Sequence, residues 1–316
     1  MEYKSTKLKY KRGEKMFKKE LQRYNLMSYT TDEDMILKEL LLNKLGFSVR
    51  SISKMKRDRT VKVNGEYRKP SLEIKKGDLI EVEINEEMAN FEPQDLNMKI
   101  LYDDFDIIMV DKPPYMVVHP TKSHFDQTVA NGVTDFIIKK GEKVKVRFVN
   151  RLDMNTSGLV IVAKNAYAHH VLSSDMSENL VEKKYIAVVK GVIKEDEGTI
   201  DAPIYRPTDD SIRRVVDKRG QRSVTHYKVL KRMNDATVVE LKLETGRTHQ
   251  IRVHLAHLGY GIIGDELYGY VDEDLIKRQA LHAYSLNFKQ PRTRENLKFE
   301  AELPEDMKKL IEKLEG

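Results

Sequence analysis

The sequence predicts an α+β protein in which a predominantly antiparallel mixed sheet forms the main body and a small α+β module precedes it. Three observations predict this. Short β-type runs recur through the last two thirds of the chain, separated by turn residues and outnumbering helical patterns. A helix–helix–hairpin pattern occupies residues 32–86. Finally, 316 residues are comfortable as one large domain plus a small one.

Residues 1–31 are polar, basic and aperiodic and read as an arm, with a short helix expected from Glu14 to Tyr24. Met35, Ile36, Leu40, Leu41 and Leu45 then recur at helical spacing, with Gly46 as the stop. Ser48 can cap a second helix that carries Arg50, Lys54 and Arg57 outward. Val61 and Val63 alternate into Asn64-Gly65, a hairpin signal, and Lys76-Gly77-Asp78 turns into a strand over 79–84. Residues 87–95 are polar, contain Pro93 and read as a linker. The block 96–316 is large enough for its own core and is expected to fold by itself. Its clearest strands are 107–110, 159–163, 185–189, 224–230 and 237–243.

Composition narrows the chemistry. The chain has no cysteine, which excludes disulfides, thiolate zinc sites and a Cys nucleophile. Glycine-rich phosphate loops are absent, so nucleotide hydrolysis and dinucleotide redox chemistry lose their usual support. No apolar stretch follows the basic N-terminus and none approaches about eighteen residues. A cytoplasmic location without membrane contact is expected. The net charge is +6, and the cations cluster. One cluster lies in residues 1–24, a second is Arg50, Lys54, Lys56, Arg57, Arg59 and Lys62, and a third is Arg213, Arg214, Lys218, Arg219 and Arg222. Such clusters are the footprint of a polyphosphate binder.

The most informative stretch is NRLDMNTSGLVIVAK at 150–164, where Asp153 sits on a loop just before an apolar strand. A rigid strand can hold such an acid while leaving it open to a ligand. Gly158 lets the backbone turn tightly into the strand. This stretch resembles the catalytic motif of the large pseudouridine synthase family that modifies ribosomal and transfer RNA. DKPPYMVVHP (111–120), KKYIAVVKG (183–191) and TGRTHQIRVHLAHLGYGIIGDELYG (245–269) resemble further blocks of that family, in order. LGFSVRSISKMKRDRTVKVNG with KKGDLIEVEI resembles the RNA-binding module of ribosomal small-subunit protein S-four.

The resemblance implies an RNA uridine isomerase with Asp153 as nucleophile, Tyr185 as active-site tyrosine and Arg252 as active-site arginine. Arg151 would help open the RNA, and Asn150, Thr156, Arg247 and His249 join it in substrate binding. The module implies RNA contacts from Arg50, Lys54, Lys56, Arg57 and Arg59. No cofactor and no metal are implied. His249, His254 and His257 are expected on one helix, but lack a third zinc ligand at a recognisable spacing. The implied partner is RNA, large-subunit ribosomal RNA before transfer RNA, with no obligate protein partner. Asn150 departs from the family's usual His, so a cationic group there is not required. A non-catalytic RNA-binding or ribosome-assembly protein on the same fold is the alternative reading; it predicts loss of Asp153, Tyr185 or Arg252, and all three are present.

Overall fold

A computed structural model describes residues 18–84, 91–121 and 123–315. The N-terminal module is built on a four-stranded antiparallel sheet. Its strands are β1 (Leu26–Thr30), β2 (Val61–Val63), β3 (Glu66–Tyr67) and β4 (Leu79–Glu83), in the order β1-β4-β2-β3. Helix α1 (Val49–Asp58) covers it. The Ser48 side chain accepts from the Ser51 amide, as expected of an N-cap, and Ile52 and Met55 turn inward. Asn64 and Gly65 both take positive φ, 52° and 84°, which a two-residue hairpin of this twist requires.

Three expectations need correction here. Residues 26–30 are not part of an arm: Met27 and Tyr29 are buried, and β1 pairs with all of β4. The expected first helix is shorter and wider. Met35–Ile36 pairs instead with Glu73–Ile74, and the helix runs over 37–44 with a π-type second half, Leu40–Lys44. Apolar residues at i, i+1 and i+5 suit both arrangements, so spacing alone did not separate them. The expected Glu14–Tyr24 helix falls partly outside the described residues; the described part holds a 3₁₀ turn, Lys19–Leu21, and then a bridge from Arg23 to Leu26.

The main body is a ten-stranded sheet. In chain order the strands are β5 (Lys99–Asp103), β6 (Ile107–Lys112), β7 (Arg147–Phe148), β8 (Ser157–Ala163), β9 (Glu182–Lys190), β10 (Glu197–Asp201), β11 (Val224–Met233), β12 (Ala236–Leu243), β13 (Leu281–Lys289) and β14 (Asn296–Glu300). Across the sheet the order is β10-β11-β12-β9-β13-β8-β6-β5, with β7 beside β8 and β14 beside β13. Every pairing is antiparallel except β8 with β13, where only Ser157 and Gly158 meet His282 and Ala283. This brief parallel seam divides the sheet into two halves, and the candidate site lies along it.

Helices α2 (Val129–Lys139), α3 (Ala166–Ser177), α4 (Gln250–His257) and α5 (Glu305–Glu315) pack on the sheet. The larger core joins β9, β11 and β12 to α4 and α5. The module is not an independent bead. Tyr167 and Val171 of α3 belong to its apolar core, with Phe47 against the Tyr167 ring at 4.9 Å between centroids. Arg292, fully buried in the main body, donates to Gln22 Oε1 and to the carbonyls of Arg23 and Leu26. The expectation of a block that folds on a wholly separate core therefore meets a shared apolar and polar seam.

Candidate active site

Asp153 is fixed by the loop that feeds β8. The Asn150 side chain is bound at both ends to β8, donating to the Leu159 carbonyl and accepting from the Ile161 amide at 2.8 Å. Arg278, fully buried, donates to the Asn155 carbonyl, and Lys112 donates to the Met154 carbonyl at 2.9 Å. The Thr156 amide closes the turn on the Asp153 carbonyl, while its hydroxyl accepts from Gln279. Gly158 is required for a further reason. Its φ is 115°, and a Cβ there would lie 2.2 Å from the Ala283 carbonyl oxygen on the parallel neighbour.

Arg252 reaches this loop from α4. It is 6% exposed, and its Nη1 donates to Asp153 Oδ2 at 3.0 Å. The rest of its guanidinium is a fork on Asp265, Nε to Oδ2 at 2.6 Å and Nη2 to Oδ1 at 2.7 Å. Asp265 is fully buried and its Oδ1 also accepts the Leu267 and Tyr268 amides. Burial works against the charge of Arg252, but the two carboxylates more than offset it and leave its pKa above the ordinary arginine value. Arg252 is thus cationic and oriented before any ligand arrives. The Asp153 side chain keeps 29% of its surface open.

Tyr185 stands on β9 where the pairing with β13 slips between Lys184 and Ile186. Such a bulge re-aims one side chain beside a site. Its hydroxyl has no hydrogen-bond partner among the described residues, and burial, reinforced by the Asp153 charge, raises its pKa. It therefore enters any reaction as a neutral phenol. His249 adopts the left-handed conformation, φ 58°, and precedes α4, so it does not share that helix with His254 and His257 as expected. Its Nε2 lies 3.9 Å from Asp153 Oδ2, and its Nδ1 pairs with the Tyr268 hydroxyl at 2.9 Å. Burial keeps this imidazole below its ordinary pKa despite Asp153. The Tyr268 ring lies under Arg252, 5.1 Å from its centroid.

The structure thus gathers Asp153, Tyr185, Arg252 and His249. Arg151 and Arg247 are exposed at the rim, and Asn150 and Thr156 are engaged inside the loop. Sequence reasoning missed Asp265, Tyr268 and Lys112. The signal for the first two was an acid and a tyrosine at i, i+3 between Gly264 and Gly269. Among the described residues no three His, Asp or Glu side chains converge as a metal site. Arg50, Lys54, Lys56, Arg57 and Arg59 are all exposed on or just after α1, with Arg59 stacked on the Tyr67 ring.

The structure holds an open carboxylate pinned by a buried arginine at the seam of a mixed sheet, and comparison with known proteins gives the class of the chain. The profile of the family described as RNA pseudouridylate synthase matches residues 106–257. An uncharacterised RNA pseudouridine synthase of Bacillus subtilis, YjbO, is 43% identical over 273 residues, covering 85% of this chain and 95% of that protein. Ribosomal large subunit pseudouridine synthase D of Pseudomonas aeruginosa is 37% identical, covering 79% of this chain and 82% of that protein. The solved structure of human RNA pseudouridylate synthase domain containing 4 superposes with a TM-score of 0.57 at 25% identity, over 68% of this chain and 92% of that one. The chain belongs to the RNA pseudouridine synthase family and is an isomerase acting on RNA. No helix among the described residues is long and apolar enough to cross a membrane.

Proposed function

We propose that Asp153 is the nucleophile of this RNA pseudouridine synthase and that its substrate is large-subunit ribosomal RNA. One observation carries the first half: among the described residues that Arg252 bonds to, Asp153 remains open to a ligand while Asp265 is sealed. A buried guanidinium sets a fixed positive charge against the Asp153 carboxylate in a site that RNA would dry. The target uridine leaves the stack to reach it.

As the glycosidic C–N bond breaks, the carboxylate meets the electron-poor anomeric carbon and the base leaves with the bonding pair. Held against the Tyr185 ring, the uracil anion turns and attacks the same carbon through C5, displacing the Asp153 carboxylate. The C5 proton then passes to solvent and N1 takes one up, so no atom is gained or lost overall. Tyr185, kept as a neutral phenol, serves by stacking and by donating a hydrogen bond to the captive base.

The ribosomal half rests on relatives named for the large ribosomal subunit at 35–37% identity and on the chain's cationic surfaces. Arg206, Arg214, Arg219 and Arg247 line a cavity of about 470 Å³ beside the site, joined to it where the Arg214 amide donates to the Tyr268 hydroxyl. That cavity suits the phosphates flanking the uridine, and the exposed cations of α1 offer RNA a second basic surface. The test is a map of pseudouridines in ribosomal and transfer RNA with and without the gene, repeated with Asp153→Asn. The reading expects large-subunit sites to vanish in both strains; sites that persist with Asp153→Asn would dismiss the nucleophile.

A further inference from the structure

The segment 113–127 has no part in the chemistry above, yet it carries two features with a cost. Tyr115 adopts φ 63°, a conformation in which a bulky side chain is an outlier. It is also 55% exposed, and Phe125 is 75% exposed. A glycine would occupy position 115 without strain, so neither backbone geometry nor core packing explains a tyrosine there.

Both rings line one cavity of about 410 Å³, together with Met116, His124 and Gln127. This volume falls within the range of small-ligand sites, about 300–1,000 Å³. The cavity is built rather than loose. The Thr121 and His124 backbones close a two-way hydrogen-bonded turn, Ser123 Oγ holds His124 Nδ1 at 3.1 Å, and the Gln127 amide donates to Gln94 Oε1 at 2.7 Å. Its walls are also tied to the active-site loop. The single Lys112 ammonium donates to the carbonyls of Pro113 and Met116 in this segment and to that of Met154, next to Asp153. Exposed π-faces with polar edges match an unpaired nucleobase, whose faces stack and whose rim hydrogen-bonds.

We propose that Tyr115 and Phe125 form the walls of a stacking pocket for an unpaired base of the RNA strand beside the reacting uridine. The proposal deepens the reading of the site as an RNA uridine isomerase and rests on it. Tyr115 and Phe125 then determine which RNA is held, while Asp153 performs the chemistry.

The test uses the full chain carrying Asp153→Asn, so that no RNA is turned over. Binding is measured to an oligoadenylate containing 2-aminopurine, and to an abasic oligophosphodiester of equal length. Tyr115→Gly should weaken oligoadenylate binding on the order of ten-fold, the scale of one lost base–aromatic stack, and abolish the quenching of 2-aminopurine. Tyr115→Phe should preserve both, Phe125→Ala should repeat the loss, and abasic binding should stay constant. Tyr115→Gly should melt no lower than its parent, because it relieves backbone strain. Unchanged affinity and quenching in Tyr115→Gly would overturn the proposal. So would equal losses on both oligomers, or a lowered melting temperature, since either makes the ring a packing element. Pseudouridine formation by the unmutated chain on ribosomal RNA from a strain lacking the gene is read separately. Its failure would strike the ribosomal assignment and leave the quenching result standing.

Discussion

Arg292 and Arg252 are both buried and both bonded to carboxylates, and their fates differ. Arg292 lies 2.9 Å from Asp106, and both are sealed from solvent. Asn165 and Gln290 donate to the same carboxylate, Gln22 and two backbone carbonyls take the guanidinium, and the Phe105 ring lies 4.9 Å from it. Arg252 has an equally sealed partner in Asp265, but its other partner, Asp153, opens to the surface. The chemistry of the pair is the same in both places. At Arg252 the sealed Asp265 takes the fork, so Asp153 keeps lone pairs for a ligand. Arg278, whose fork occupies both oxygens of the more open Asp306, shows that exposure of a carboxylate alone does not make a pair reactive.

The largest effect that would break this contrast is at Asp153. Asp153→Asn is isosteric and can still accept from Arg252, so the fold should survive. Pseudouridine formation should fall by at least about 10³-fold. Single-turnover assays at saturating enzyme, beside a melting curve, check it. Turnover within ten-fold of the parent would show that the open carboxylate is not the nucleophile.

Arg292→Met and Asp265→Asn then separate the two clusters. Arg292→Met strands Asp106 and loosens the seam to residues 22–26, which should cost about 3–5 kcal/mol of stability. Turnover per folded molecule should not change. Asp265→Asn leaves Arg252 with a weaker anchor beside the reacting group. It should lose both stability and about 10²-fold in turnover, the cost of a misplaced charge. Denaturant melts and single-turnover rates on the same preparations distinguish them. Equal kinetic losses in both variants would erase the contrast.

Much of this was legible in the sequence, and the exceptions share a cause. The apolar run Ser157–Ala163 is buried at every position, so its pattern left little choice. The Asp153 loop followed from its neighbours, because a motif of consecutive residues survives without knowledge of the fold. Asp265 and Lys112 were not legible. Each acts partly through contacts 13 to 42 positions away, and a local pattern such as the Asp265–Tyr268 spacing does not say that the acid is buried or which arginine it holds. The bulge at Tyr185 and the pairing of Met35–Ile36 depend likewise on a partner strand, which periodicity does not report.

Tyr185→Phe is expected to have a smaller effect than either. The ring still stacks, so RNA affinity should hold, while the lost hydroxyl should lower turnover about ten- to a hundred-fold. Separate binding and single-turnover measurements check this. Equal loss of binding would place the hydroxyl in recognition.

The smallest expected effect sharpens the comparison with a buried cation that has no carboxylate partner among the described residues. Lys112 is fully buried and donates to three carbonyls, with no carboxylate at bonding distance among the described residues. Burial, helped by the positive charge of Arg278 and opposed by Asp153, pulls its pKa down to about 7, whereas Asp265 and Asp153 hold Arg252 above its ordinary value in spite of burial. The unfolded chain holds this lysine protonated up to its ordinary 10.5. Between about 7 and 10.5 the unfolded state therefore binds more protons than the folded state, and stability contributed at this position must rise with pH. Below about 7 both states are protonated and the full cost of the buried charge is felt. Melting temperatures of the parent and of Lys112→Met, measured across that window, isolate the contribution because all other groups are common to both. The parent should gain on the variant as pH rises. A constant difference would mean that three carbonyls hold the ammonium as firmly as the carboxylates hold Arg252.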